Sequence, residues 1–272
     1  ILATLMLGTT LLMFTPAAEA QAVVAYSISF TDGQVNLDVR PGASGVGCTE
    51  MVVSNEGQAA IDVDVSISGG GVTISPGAVS VTLGSGGSIT IPICALALTQ
   101  SSYKNVQVTA IAQGRETNSQ LNQVNKNAGF AVIIEQYAHL SVQAPQATVD
   151  ICHGQESFVT FVVVNLGNYQ DTIAVEILNQ TDLEDAGFEV SLAAFQYLVD
   201  SQGEQPVTIS VNAVNASVKH NGFELIFQAV TTLQGETAAS SNSTTLNVIE
   251  GGFGTANCEA KETIEDLGQK YV

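Results

Sequence analysis

The side chains able to do chemistry are few, and cysteine is the clearest of them. Four cysteines stand at positions 48, 94, 152 and 258, with no C-x-x-C pair among them. Only three histidines accompany them, His139, His153 and His220, in separate segments. A zinc site needs four ligands held together, usually as short-spaced pairs. The four sulfurs therefore read as two disulfides in an oxidising compartment. No G-x-S-x-G or H-E-x-x-H run is present, so no nucleophile or zinc-protease arrangement can be named. The glycine clusters Gly69–Gly71 and Gly84–Gly87 precede neither Lys-Ser/Thr nor a helical pattern, so they are turns and not phosphate cradles. Thr181 to Asp185 offers three carboxylates in what reads as a loop, but the glycine-containing calcium loop is missing, and a hydrated acidic loop is expected. No enzyme activity, cofactor or metal is expected.

Asparagine supplies the remaining chemistry. The triplets beginning at Asn179, Asn215 and Asn242 fit the N-x-S/T pattern of N-glycosylation. They and the cysteines both suit export, as does the start of the chain. Residues 1–14 are uncharged and mostly apolar, Pro16 follows, and Ala18-Glu19-Ala20 forms an A-x-A cleavage pattern. The run is too short to span a bilayer comfortably, so residues 1–20 read as a signal peptide, with a retained N-terminal anchor as the alternative. A secreted or cell-surface location follows.

The elements that must position these residues are strands. Ile61 to Ile67 alternates apolar and polar residues without a break, as do 172–177, 88–93 and 206–211. Alternation with period two is the pattern of a half-buried strand. Asn55-Glu56-Gly57, Pro76-Gly77 and the segment 165–168 separate such runs as turns. The pattern also repeats. Residues 51–57 match 161–167, Val63, Val65 and Ile67 match Ile173, Val175 and Ile177, and 89–93 are aligned with 207–211. Gln113-Gly114 is aligned with Gln234-Gly235 between the last two strands of each copy, and Asp38 and Gly42 with Asp150 and Gly154.

An all-β chain follows: two tandem immunoglobulin-like β-sandwiches, residues 22–136 and 137–250, meeting near Glu135 to Ala138 without a long linker. A hydrophobic N-terminal helix precedes them, and a tail, residues 251–272, follows. In that tail Ala260, Ile264, Leu267 and Tyr271 form one stripe of a short helix. Within the first unit Cys48 and Cys94 fall on the less buried face of strands that neighbour each other in such sandwiches, so they are expected to pair. That bridge contributes up to about 4 kcal/mol by loop closure. The aligned positions of the second unit are Phe158 and Asn212, so the bridge belongs to one copy. By elimination Cys152 pairs with Cys258 in the tail.

The residues 52–57 and 163–167, with the Pro76-Gly77 turn, resemble CARDB-type immunoglobulin-like repeats of prokaryotic extracellular surface proteins. That resemblance implies a fold and an extracellular setting, and no ligand.

Composition narrows the role. The 272 residues carry 7 Lys and Arg against 26 Asp and Glu, a formal charge of −19, on a chain only 12 % charged and 45 % hydrophobic. Seven cations on a net anion exclude a nucleic-acid partner, and the apolar fraction excludes a disordered acidic tail. The expected function is a non-catalytic exported structural or adhesive protein, whose partners are other surface proteins or copies of itself, with the membrane involved only if residues 1–20 are retained. Three alternatives stand beside it. One is a pilus-like filament in which Ala22, Val23, Val24, Tyr26, Ile28 and Phe30 act as a donor strand, against their forming the first strand of their own unit. The others are an accessory module of a larger secreted enzyme and a membrane-anchored subunit of a surface complex.

Overall fold

A computed structural model describes residues 24–119, 122–144, 146–215, 222–233, 236 and 238–249. The leader, the tail with Cys258, and Ala22, Val23 and His220 lie outside the described residues. Nine strands build the first unit: β1 (Tyr26–Phe30), β2 (Gln34–Leu37), β3 (Val46–Asn55), β4 (Ile61–Gly69), β5 (Thr73–Ser75), β6 (Ala78–Leu83), β7 (Ser88–Leu96), β8 (Lys104–Glu116) and β9 (Val124–Ile134). They form a four-stranded sheet, β1-β3-β7-β5, and a five-stranded sheet, β2-β9-β8-β4-β6. The second unit repeats the pattern with β10 (Leu140–Gln143), β11 (Thr148–Cys152), β12 (Glu156–Asn165), β13 (Asp171–Ile177), β14 (Phe188–Leu192), β15 (Gln196–Val199), β16 (Glu204–Ala213), β17 (Phe223–Thr231) and β18 (Ala239–Ile249). Its sheets run β10-β12-β16-β14 and β11-β18-β17-β13-β15, strand for strand the same order. This is the expected all-β architecture of two immunoglobulin-like sandwiches.

Period-two side chains explain why each sheet has one dry face. Ile61, Val63, Val65 and Ile67 of β4 are buried while Asp62, Asp64, Ser66 and Ser68 alternate outward. Each unit closes its own core. Phe30 packs on Phe130 in the first, and Phe161 stacks on Phe227 in the second. In both units the chain crosses between sheets early. β2 pairs in parallel with β9, and β11 in parallel with β18, whereas the pairs within the four-stranded sheets are antiparallel.

Three local readings change. The alignment of β7 with β16 is two residues off: Cys48 stands opposite Cys94, whereas Phe158 stands opposite Ser210 and not Asn212. A shift of two leaves every side chain on the same face, so alternation alone could not expose it. Gln113-Gly114 lies inside β8 and not between strands, where Gly114 approaches the ring of Tyr26 too closely to carry a Cβ. Residues 180–185 form a short helix, α1 (Gln180–Asp185), where a loop was expected. Asn179 ties its start to β17, donating to Glu224 O (2.6 Å) and accepting from Ile226 N (3.0 Å).

Candidate functional site

The cysteines carry the clearest chemistry. Cys48 and Cys94 are bonded, with Cα atoms 4.0 Å apart on directly opposed positions of β3 and β7. Cys48 is exposed, and Glu50 on the same strand is exposed beside it, as the alternation of that strand indicates. β3 and β7 are already paired from Val46 to Ser54, so the bridge is a staple across a formed ladder. The joint replacement Cys48→Ala/Cys94→Ala is expected to lower stability by about 2 kcal/mol, the low end for native disulfides. Urea unfolding reads this as an earlier first-unit transition with the second unit's transition unmoved. Cys152 is disulfide-bonded and buried, and its expected partner Cys258 lies outside the described residues.

The sequons separate by geometry. Asn215 is exposed. The Asn179 amide nitrogen is committed to Glu224 O, and that of Asn242 donates to Val142 O at 3.0 Å. Ser240 Oγ accepts from Val142 N (3.0 Å), so Ser240 and Asn242 together cap the outer edge of β10. An unpaired strand edge is a template for unwanted pairing, and here side chains close it.

Of the segment weighed as a donor strand, Val24, Tyr26, Ile28 and Phe30 are described, and residues 26–30 pair with β3 of their own unit. Tyr26 is 2 % exposed, and its hydroxyl lies 2.9 Å from Ala112 O and 2.8 Å from Val124 O, sharing one proton between two carbonyls of the facing sheet. To be donated, the strand would have to leave these bonds. Among the described residues both units present the same strand order, with β1 and β10 in equivalent places.

The groups brought together most tightly are ones the sequence marked only as turn residues. Asn165, 1 % exposed, donates from Nδ2 to Tyr169 O (2.9 Å) and Val199 O (3.1 Å), and its Oδ1 accepts from Gly167 N (2.9 Å). Asn55 repeats this in the first unit with Ala59 O, Leu83 O, Gly84 O and Gly57 N. Each asparagine is thus a polar plug joining both sheets at one end of its sandwich.

Asn168 forms a second node, between the units. It is 1 % exposed; its Nδ2 donates to Glu135 O (2.8 Å) and Ser101 O (3.1 Å), and its Oδ1 accepts from Tyr137 N (3.0 Å). Its carbonyl accepts from Tyr103 N (3.0 Å). Tyr137, which the repeat arithmetic puts at the head of the second unit, packs its side chain in the first unit's core. A Cβ on Gly167 would fall 2.7 Å from Tyr137 O, so the close approach here requires glycine. Arg40 reaches across to Glu236 at 2.8 Å.

Beside this node sits a buried polar group. Asp171 accepts a hydrogen bond from Thr231, both buried, and Tyr169 lies against them with its hydroxyl shielded and unpartnered. Burial is the main cause that pushes the Tyr169 phenol up to about 12. Above the ordinary tyrosine value near 10 the unfolded chain ionises first, so the second unit loses stability as pH rises from about 10 towards 12. Tyr169→Phe is expected to leave the melting temperature at pH 7 unchanged or slightly raised, since it removes an unpaired hydroxyl. The same variant should flatten the fall in melting temperature between about pH 10 and 12. An unaltered alkaline slope would show that Tyr169 is not its source.

Charge is divided unevenly. Residues 22–136 carry eight Asp and Glu against four Lys and Arg, whereas 137–250 carry thirteen against one, Lys219. Among the described residues no group of three or more His, Cys, Asp or Glu is placed to hold a metal ion, and α1 with Asp182, Glu184 and Asp185 is no exception. No helix among them is long and apolar enough to cross a membrane.

No family model matches the chain, and no curated protein matches it. Among solved structures, EC22–24 of mouse cadherin-23 aligns over 85 % of this chain and 67 % of its own, at 12 % identity and a TM-score of 0.44. The D0–D1 domain of intimin aligns over 81 % and 97 %, at 12 % identity and 0.26. The periplasmic chaperone SfaE aligns over 82 % and 100 %, at 12 % identity and 0.27. The immunoglobulin-like assignment itself rests on the strand order.

Proposed function

We propose that this chain is an exported, non-catalytic surface protein in which two immunoglobulin-like units are held in fixed series to space or present a contact face. The observation that carries this reading is the Asn168 node, with its side chain bonded to both the first unit and the connecting segment. A freely jointed pair of domains would not invest a buried side chain in its connection. The Cys48–Cys94 bridge supports an oxidising compartment outside the cytosol, and an acidic, cation-poor surface supports solubility there. Partners on this reading are other surface proteins or a second copy of the chain, and neither a cofactor nor a reaction is called for.

The test is to treat intact source cells with a membrane-impermeant amine-reactive label and recover the chain. Labelling of intact cells is the expected result. Labelling only after lysis would overturn the surface reading.

A further inference from the structure

The outer face of the second unit's four-stranded sheet carries a patch with no counterpart in the first. Across β12, β16 and β14 the register sets Glu156, Asn212 and Glu189 in one row, and Phe158, Ser210 and Ser191 in the next. At the equivalent places the first unit has Val46, Leu96 and Thr73, then Cys48, Cys94 and Ser75. The second-unit residues, Phe158 aside, line a groove of about 400 Å³. Phe158, 63 % exposed, stands beside it.

From these features we infer that this face docks a cationic segment of a partner protein, its Lys or Arg side chains received by Glu156 and Glu189 and one of them laid on Phe158. This rests on the reading of the chain as an exported contact protein and names the chemistry of what it contacts.

The groove is rich in acceptors. Ser210 Oγ already spends its proton on Glu156 Oε1 at 2.6 Å. Asn212 stands between the two glutamates in register, its Oδ1 shielded from solvent, so the acceptors the groove presents are the two carboxylates. A ligand that suits such a row must bring donors, and a guanidinium or ammonium brings the most per group. Strand spacing of about 4.8 Å puts the two carboxylates about 10 Å apart, too far to share one ion and suited to one basic side chain each. None of the described ion pairs involves Glu156 or Glu189, and among the described residues the second unit has no Lys or Arg of its own. The unit's one basic residue, Lys219, lies outside the described residues, so no described cation neutralises this pair of carboxylates. An exposed aromatic ring next to carboxylates adds a cation–π surface and the apolar anchor that concentrates binding energy in an interface.

The test uses the full chain and a fluorescein-labelled hexa-arginine peptide, read by anisotropy at 0.15 M salt. Binding by the wild type is expected, weakened about tenfold by Glu156→Gln/Glu189→Gln and by Phe158→Ser. Glutamine keeps the acceptor for Ser210, and unchanged melting curves would confirm that the variants fold. The control Glu176→Gln/Glu224→Gln removes the same charge from the other sheet and should change affinity less than about twofold. Equal weakening by the control would mean attraction by net charge alone and would overturn the proposal, as would no binding by the wild type. Binding of a neutral saccharide that Phe158→Ser abolishes, with the peptide unaffected, would overturn it in favour of a glycan. None of these outcomes bears on surface labelling of intact cells, so the two readings fail separately.

Discussion

Replacing Asn165 with alanine is expected to lower the unfolding free energy of the second unit by about 3 kcal/mol. The loss comes from what the side chain leaves behind. Tyr169 O and Val199 O lose a donor and Gly167 N loses an acceptor, in a place where Asn165 is 1 % exposed. Each buried orphan costs about 1–3 kcal/mol, and partial entry of water keeps the total below the sum. Asn165→Asp separates polarity from size. Aspartate fills the same space and still accepts from Gly167 N, yet an ionised carboxylate facing two carbonyl oxygens cannot donate. It is expected to be at least as harmful as alanine at pH 7. Asn55→Ala should do the same to the first unit, where Ala59, Leu83 and Gly84 lose their donor. Urea unfolding of the whole chain checks all three, because each variant should move its own unit's transition and leave the other in place. Transitions that do not move would mean that the plugs bear no weight.

Replacing Asn168 with alanine is expected to uncouple the units without unfolding either. The node joins Ser101 and Tyr103 of the first unit, the connecting residues Glu135 and Tyr137, and the turn after β12. Losing the side chain removes three hydrogen bonds, about 2–3 kcal/mol of interunit coupling with the desolvation of the partners included. Limited proteolysis should show new cleavage within 135–139, and small-angle scattering should show a broader distribution of end-to-end lengths. Arg40→Gln serves as a comparison. Its partner Glu236 is 22 % exposed and Arg40 is 50 % exposed, so this pair contributes little, about 0.5 kcal/mol. Cleavage enhanced equally by both variants would shift the role from Asn168 to the ion pair.

Much of the fold was readable because the strands alternate so cleanly. β4 and β13 needed no more than their residue pattern to be placed, and the offset between them held in the structure. The Cys48–Cys94 pair followed from the same alternation. The offset between β7 and β16 failed for a related reason: a period of two is blind to a slip of two, and only cross-strand register resolves it. α1 was missed because six residues make fewer than two turns, too few for a period of 3.6 to declare itself. The junction was hidden differently. Gln58 in the first unit stands where Asn168 stands in the second, and Gln58 is exposed. A search for sameness between repeats passes over the one position whose difference fastens them together. The docking face was equally invisible, since Glu156, Glu189 and Phe158 come from two separate strands and become neighbours only through β16.

The parallel pairings of β2 with β9 and of β11 with β18 bear on how such a chain would behave under tension. In each unit the early strand and the last strand lie side by side and run the same way. A pull on the two ends draws those strands past one another along their length, so the slanted ladder bonds between residues 34–37 and 131–134 are loaded together and not peeled one at a time. The same holds for 148–152 against 245–249. A tether built this way resists stretching through the cooperative shear of a few short ladders, a mechanical strength distinct from its resistance to heat or urea.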